Sequence, residues 1–479
     1  MDMLQAVSKM NEYEKKHGVF AHLVDGWSAW WLLRLGIYFH LCDLPLKKDI
    51  AGKRSDHFRT LVRLMRALPA FIFPRKARYF IVDSSTSLTE QEGSRYFSAW
   101  IDEFLLADRD YFKIEKINNL AFHYARGCRA MLPAQMTADL MQLMAFVLRL
   151  ICPPREIRSI SSEISRHLVE GLGLAAFTPG TVQKTLAHFY WSKRLMKYLL
   201  RRVKPDFVLV ADSGDFNVAA AGRELGIPVI EFQHGLFFNN LPKAMAAHMQ
   251  PYEKTLPKAS HMFLYSQYWH EGLSGCGYAE DELRVVGSLR MDRYRKQRQH
   301  KRTSSRKADT CHILLTTQGM NKDLLISFIK EFLLLAGKKL PLFLTIKMHP
   351  AYDLNKAIYE DAFAGDGRVK IISGTEEPST YALLVESHVH LSVSSSSHYD
   401  ALGLGVPTAV LAFSGHEFMQ PLLDLGHARV LSSPAELVTM VEHWRDLAVP
   451  QEVSESYFCT AAMENIRREL ELIQKSKQK

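Results

Sequence analysis

Leu225-Gly226-Ile227-Pro228-Val229 and Leu404-Gly405-Val406-Pro407-Thr408 correspond position by position, nearly 180 residues apart. Each sits in the same context. Upstream of the first, Phe207-Val208-Leu209-Val210 is a short unbroken apolar run, as expected of a parallel strand covered on both faces. A polar loop, Ala211-Asp212-Ser213-Gly214-Asp215, then opens a helix over 218–225, Gly226 caps it, and 227–232 forms the next strand. The second copy reads as strand 389–393, polar loop Ser394 to Ser397, helix 399–404, cap Gly405 and strand 406–411. Two copies of one strand-loop-helix-strand unit imply an α/β chain with two doubly wound Rossmann-type domains.

Other apolar runs fill out that plan. Segments 262–265 and 283–287 read as strands finishing the first domain, and 312–317, 342–347 and 369–372 as strands of the second. The expected organisation is a mainly helical region over 1–204, with one strand at 79–82, belonging to an acceptor-side domain whose Rossmann-like core is 205–292. A basic linker at 293–309, a nucleotide-donor-binding Rossmann-like domain at 310–450 and a C-terminal helical segment at 451–479 follow. The terminal helix, 461–475, is expected to pack back across the first domain.

A chain of 479 residues is too long for one ordinary core, and 47% hydrophobic with 23% charged residues is a globular composition. A net charge of +9 favours acidic surroundings such as nucleic acid, anionic lipid or phosphorylated ligands. No recognition-helix or RNP-like pattern supports nucleic acid. The basic run between Arg290 and Lys307 reads either as a solvated linker or as a patch facing an anionic membrane or acceptor. The six cysteines form no zinc-type cluster, which suggests buried thiols in a reducing compartment. Residues 1–15 are polar, unlike a secretory signal, and the two most apolar segments, 29–42 and 140–152, fall short of a span and carry Arg34 and Arg149. Trp27, Trp30, Trp31, Tyr38 and Phe39 fit core packing, with a lipid interface as the rival reading. A cytoplasmic location, at the inner face of the membrane, is the expectation.

The residues with chemistry cluster at strand ends. Because residue 350 is proline, His349 is biased toward an extended conformation at the carboxyl end of its strand, where open α/β sheets bind ligands. Lys347, two residues back, points to the same side. Ser394, Ser395, Ser396 and Ser397 offer hydroxyls and the backbone N–H groups of a helix start, suited to a phosphate, although a simple serine N-cap would need only one of them. Asp400 either completes a capping box with Ser397 or contacts a ribose. Glu417 is placed to contact a ribose or base, and Gln318 and Gly319 to line a cleft. In the first domain, His234 ends a strand above a turn at Gly235 and reads as a general base, with Asp212 and Asp215 as alternative bases or as groups orienting it.

With these residues the chain resembles GT-B type sugar-nucleotide enzymes. The likeness is specifically to bacterial surface-polysaccharide and capsule glycosyltransferases and to the related CDP-glycerol glycerophosphotransferases. Their His-Gly, His-Pro and Ser-rich elements match His234-Gly235, His349-Pro350 and Ser394 to Ser397 with Asp400, over about 205–437. Gln233 stands where glycerophosphotransferases are expected to have tryptophan. The resemblance implies an inverting, metal-independent transferase with no cofactor beyond its nucleotide-sugar substrate, and a lipid-linked or polysaccharide acceptor. In it His349, Ser395, Ser396 and Ser397 would bind the leaving phosphate, and His234 or Asp212 would take the acceptor proton. CMP-sugar users share the His-Pro and serine pair, which favours CMP or CDP over UDP. UDP-N-acetylglucosamine 2-epimerases are the alternative, on the strength of Val286-Gly287-Ser288-Leu289-Arg290-Met291-Asp292. A non-catalytic subunit of a polysaccharide assembly complex is the other.

Overall fold

The computed structural model describes residues 3–42, 57–84, 88–92, 95–116, 136–152, 154–211, 214–236, 245–304, 309–337, 340–350, 352–374 and 376–478. In chain order, β1 (Leu23–Val24) and β2 (Trp27–Ser28) form an antiparallel ribbon, as do β4 (Leu88–Glu92) and β5 (Arg95–Ser98), which follow β3 (Tyr79–Ser84). The first large sheet comprises β3, β6 (Tyr111–Lys116), β7 (Phe207–Val210), β8 (Val229–Phe232), β9 (His261–Leu264) and β10 (Leu283–Val285). The second comprises β11 (Cys311–Thr316), β12 (Leu342–Lys347), β13 (Val369–Ile372), β14 (Val389–Ser392), β15 (Thr408–Leu411) and β16 (Arg429–Leu431). Every pairing within both large sheets is parallel. The α/β class with two Rossmann-type domains is therefore the class observed.

The repeated pentapeptides do the same work in both sheets. Gly226 and Gly405 adopt left-handed φ values of 66° and 71°, which lets each helix end abruptly. Ile227 N then donates to Gly222 O at 2.9 Å, and Val406 N to Ala401 O at 2.8 Å. The following prolines give up their N–H but use their carbonyls: Val208 N donates to Pro228 O and His390 N to Pro407 O, both at 2.9 Å. Each pentapeptide thus ends a helix and starts the neighbouring strand in register.

The strand orders differ. The second sheet runs β13-β12-β11-β14-β15-β16, the 3-2-1-4-5-6 order whose switch point lies between β11 and β14. The first runs β10-β9-β8-β7-β3-β6, a 2-1-3-4-5-6 order with its switch point between β3 and β7. That order depends on two strands from the region expected to be mainly helical: β3, longer than the expected 79–82, and β6, which was not anticipated. Compact unit 1 spans 1–264, 269–286 and 463–479, and unit 2 spans 265–268 and 287–462.

The basic segment expected to be a linker is mostly a helix, Leu289–Ser304, within unit 2. Several of its charges have partners within that unit. Arg295 donates to Gly403 O and Ser454 O, and Arg298 to the carbonyls of Leu384, Val385 and Ser387. Asp292, in the Val-Gly-Ser segment, accepts from Ala462 N at 2.8 Å. The terminal helix Ala462–Gln478 belongs mostly to unit 1, where Asn465 reaches Val286 O and Arg284 pairs with Glu469. Of the five described cysteines, only Cys276 and Cys311 are buried, and none forms a disulfide; Cys128 lies outside the described residues. No helix among the described residues is long and apolar enough to cross a membrane.

Arg34, which interrupts the apolar segment 29–42, has a structural reason. The helix Ala29–Leu41 buries Trp30, Trp31 and Tyr38 in the core, so the aromatic cluster packs inside rather than in a lipid interface. Arg34 Nε lies 2.7 Å from Glu14 Oε1, Trp30 Nε1 donates to the same oxygen at 2.8 Å, and His248 Nε2 is 3.1 Å from Oε2. Burial would raise the Glu14 carboxyl, but Arg34 and its hydrogen-bond partners hold it below the usual carboxylate range. Glu14→Gln should cost about 3–5 kcal/mol in urea unfolding because it leaves a buried guanidinium without its counter-charge. Glu14→Gln with Arg34→Met should recover most of that loss, and a single-variant cost below about 1 kcal/mol would contradict the pairing.

Candidate functional site

The loops after β12, β11, β14 and β15 are tied together at the carboxyl edge of the second sheet. Across the switch point, Gln318 Nε2 donates to Ser394 O at 2.6 Å and Ser394 Oγ donates to Gln318 Oε1 at 2.8 Å. Gly319 has φ of +75°, and a Cβ there would lie 2.1 Å from Tyr352 O, so the loop after β11 rests directly on the loop after β12. A Cβ on Gly374 would meet Pro350 at 2.3 Å, which presses the loop after β13 against the His349-Pro350 peptide. Asn321 Nδ2 donates to Ser414 O at 3.0 Å, bringing in the loop after β15. A small open depression at the switch point is lined by Thr316, Thr317, Gln318, Met320, Asn321, Ser392 and neighbouring apolar side chains.

His349 is half-buried. Its Nδ1 accepts from Tyr352 N at 3.1 Å, with the two rings tilted against each other at 4.6 Å between centroids, so the neutral imidazole carries its proton on Nε2. The proline restriction thus ends in a fixed tautomer able to donate to an anion. Beside it, Asp353 is buried, accepts from the Thr317 hydroxyl and from Tyr359 OH at 2.7 Å, and is ion-paired with Lys322 Nζ at 2.9 Å. Sequence reasoning passed over Asp353, although its place just past the His-Pro element was a usable signal.

The serine run divides its labour. Ser396 is the exposed N-cap and makes no side-chain cap bond. Ser395 Oγ accepts from both Ser397 N and Ser397 Oγ, at 3.2 and 2.8 Å. Ser397 is buried and touches Thr316 Oγ1 at 2.8 Å, Thr316 Oγ1 touches His390 Nε2 at 3.0 Å, and Thr408 Oγ1 bridges His390 Nδ1 and His398 Nδ1 at 2.8 and 2.6 Å. If each hydroxyl donates once, the direction of the whole chain follows. His398 donates to Thr408 and Thr408 to His390, whose Nε2–H donates to Thr316, Thr316 to Ser397 and Ser397 to Ser395. Both lone pairs of Ser395 are then taken, and its O–H is the chain's terminal donor.

Several expected roles are corrected by this geometry. The N–H groups of Ser397, His398, Tyr399 and Asp400 are occupied by Ser395 Oγ, Ser395 O and Ser396 O, so the helix start does not present those four to a ligand. Asp400 forms no capping box. Its carboxylate accepts from Tyr381 OH, and burial raises its pKa, opposed by Arg290, whose guanidinium lies 4.0 Å from the Tyr381 ring centroid. Lys347 is buried and donates to Ser373 O and Glu376 O, bracing the loop after β13 rather than facing a ligand. Glu417 is exposed and closes its own turn by accepting from Gly415 N at 2.9 Å.

In unit 1, Asp212 lies outside the described residues. Asp215 caps the helix Phe216–Glu224 without a side-chain cap bond and is ion-paired with Lys116 Nζ at 2.5 Å. His234 is exposed, whereas Gln233 is buried and donates to Gly235 O at 2.9 Å. Gly235 has no left-handed φ, and a Cβ added to it would meet nothing within 4 Å, so the turn does not demand glycine. His234 follows β8, whereas the switch point of this sheet lies between β3 and β7. Near it, buried Lys113 binds Asp83 at 2.7 Å and Asp102 at 2.6 Å. Glu115, paired in register with Asp83, is pushed up to about 7 by burial, with Lys113 opposing and Asp83 and Asp102 adding to the shift. The patterning of 1–204 did not point to this group, because β6 was not recognised and β3 was expected to end at Val82.

Residues 149–288 match the protein family Glycosyltransferase Family 4. No curated protein matches the chain. Among solved structures, the UDP-GlcNAc 2-epimerase of Neisseria meningitidis bound to UDP-GlcNAc is similar at 16% identity and a TM-score of 0.49, over 82% of this chain and 99% of that one. The UDP-GlcNAc 2-epimerase of Methanocaldococcus jannaschii with UDP-GlcNAc and UDP is similar at 17% identity and a TM-score of 0.45, over 82% and 99%. The wall teichoic acid polymerase TagF is similar at 11% identity and a TM-score of 0.45, over 89% and 99%.

The buried imidazoles give the site a pH signature. Burial pushes His398 down to about 3, and burial together with His398 holds His390 well below the ordinary histidine range. Unfolded histidines take up protons near pH 6.5, so the unfolded state binds more protons just below that value. Stability from these groups is full above about pH 6.5 and is lost as pH falls toward the folded values, by about 1 kcal/mol per pH unit per histidine. His398→Gln should therefore flatten the slope of urea stability between pH 6.5 and 5 by about that amount; an unchanged slope would contradict neutral burial.

Proposed function

We propose that the chain is a glycosyltransferase that takes a sugar, or a polyol phosphate, from a nucleotide-activated donor and delivers it to a polysaccharide or lipid-linked acceptor. The observation that carries this reading is the convergence of loops at the switch point of the second sheet. It brings Gln318, Gly319 and the serines onto one connected edge, braced against the loop that bears His349. The match of 149–288 to a glycosyltransferase family supports the reaction class. His349 Nε2–H, the Ser395 O–H and the exposed Ser396 hydroxyl are assigned to the leaving phosphate, where fixed donors stabilise charge that develops as the glycosyl bond breaks.

Transfer is proposed to be inverting and to need no metal, with CMP or CDP preferred to UDP as the leaving nucleotide. His234, exposed after β8, is assigned as the base for the acceptor hydroxyl. Asp215 is the weaker choice because Lys116 already holds its carboxylate.

Thermal denaturation of the full chain with CMP, CDP, UDP and GDP tests the donor site. A ligand at about a hundred times its Kd stabilises by about 3 kcal/mol, so CMP or CDP should raise the midpoint more than UDP or GDP. His349→Ala should weaken that nucleotide by about tenfold or more, the cost of one charge-assisted hydrogen bond. His234→Ala should abolish transfer while leaving nucleotide affinity intact. If no nucleotide at millimolar concentration moves the midpoint, the donor site is wrong. If nucleotide binds but neither histidine affects product, the catalytic assignments are wrong.

A further inference from the structure

Three helices of unit 1, His57–Ile72, Thr137–Ile151 and Pro179–Val203, lie against the first sheet and share its core through Ala67, Phe71, Ala138, Met141, Met196 and Leu200. The middle helix is apolar on its outer side as well. Leu143, Phe146, Val147, Leu150 and Ile151 are all exposed, the last two at 59% and 67%, at spacings that place them on one face of a helix. The first helix continues the surface with exposed Val62, Met65 and Leu68, and Phe73 just beyond it is 75% exposed. Apolar side chains exposed in this number on two neighbouring helices mark a place of contact.

The sequence of these helices is strongly basic, although part of that charge is paired: Lys193, Arg194 and Lys197 with Asp25 and Glu224, and Arg78 with Asp206. Residues 57–78 contain six Lys/Arg and no Asp/Glu, 140–155 contain two and none, and 179–205 contain seven and none. Arg66, Arg75, Lys76, Arg155, Arg201 and Arg202 are exposed, while Arg149 lies over the Phe146 ring at 4.5 Å. Arginines set among exposed Leu, Phe and Met side chains suit a surface that is apolar below and anionic above, as the headgroup region of an acidic bilayer is. A second copy of the same face would bring arginine against arginine.

We propose that this face docks on an anionic lipid bilayer, with Phe73, Phe146, Leu150 and Ile151 entering the headgroup boundary and the surrounding arginines binding lipid phosphates. It differs from the rival membrane readings of the sequence, because Trp27, Trp30 and Trp31 are buried and Arg295 and Arg298 of the basic segment are bonded within unit 2. The inference goes beyond the proposed reaction and does not rest on it, since lipid binding is read without donor or acceptor.

The test is co-sedimentation of the full chain with vesicles of phosphatidylcholine alone and with vesicles rich in phosphatidylglycerol. Binding to the anionic vesicles should be about tenfold or more tighter and should weaken with salt. Phe146→Glu with Leu150→Glu, and separately Arg66→Glu with Lys76→Glu, should each lower it by about tenfold or more, with the melting midpoint unchanged because these side chains are exposed. Equal binding to both vesicle types, no binding to either, or undiminished binding by variants that remain folded would overturn the proposal. So would sedimentation velocity showing that the same substitutions dissolve a dimer of a chain that ignores vesicles.

Discussion

The hydrogen-bond chain from His398 through Thr408, His390, Thr316 and Ser397 to Ser395 sets the character of the second unit. Parallel sheets covered on both faces have interiors that exclude water, and five of these polar side chains are buried there. Such groups are stable when hydrogen-bonded, and here they bond to one another across β11, β14 and β15, with His398 Nε2 left without a partner among the described residues. The consequence is directional. A polar core that would otherwise be a liability orients one hydroxyl at the sheet edge, while the Gln318–Ser394 pair locks the loops on either side of the switch point.

The two units use one local design for different ends. The repeated pentapeptides close equivalent helix-to-strand joints, yet the strand orders place the switch point between β11 and β14 in one sheet and between β3 and β7 in the other. In unit 2 the switch point carries hydroxyls, an amide and neighbouring imidazoles, groups suited to donating hydrogen bonds to an anion. In unit 1 it carries carboxylates balanced by Lys113 and Lys116.

Legibility followed local patterning. Strands such as Leu342–Lys347 and Val369–Ile372 were read to the residue because unbroken apolar runs bounded by turns leave little choice. β6 was missed because Tyr111-Phe112-Lys113-Ile114-Glu115-Lys116 alternates charge with apolar residues, and only tertiary pairing shows that Lys113 and Glu115 are buried among partners. The site's constituents were legible as residue types at strand ends, but their roles were not. Sequence cannot show that Lys347 points to backbone carbonyls, that Ser395 rather than Ser396 takes the first N–H, or that Asp400 faces Tyr381. The first and last depend on contacts with residues elsewhere in the chain, and the second on the local backbone conformation of the serine loop.

Hydrogen–deuterium exchange of the full chain with and without CDP tests the central claim most directly, because it locates the ligand by backbone protection. The account predicts protection in 317–321, 349–353, 393–397 and 412–417 together, with Thr316→Val diminishing it at 393–397 by disconnecting Ser397 from His390. Protection confined to unit 1, or to segments of unit 2 away from these loops, would contradict it.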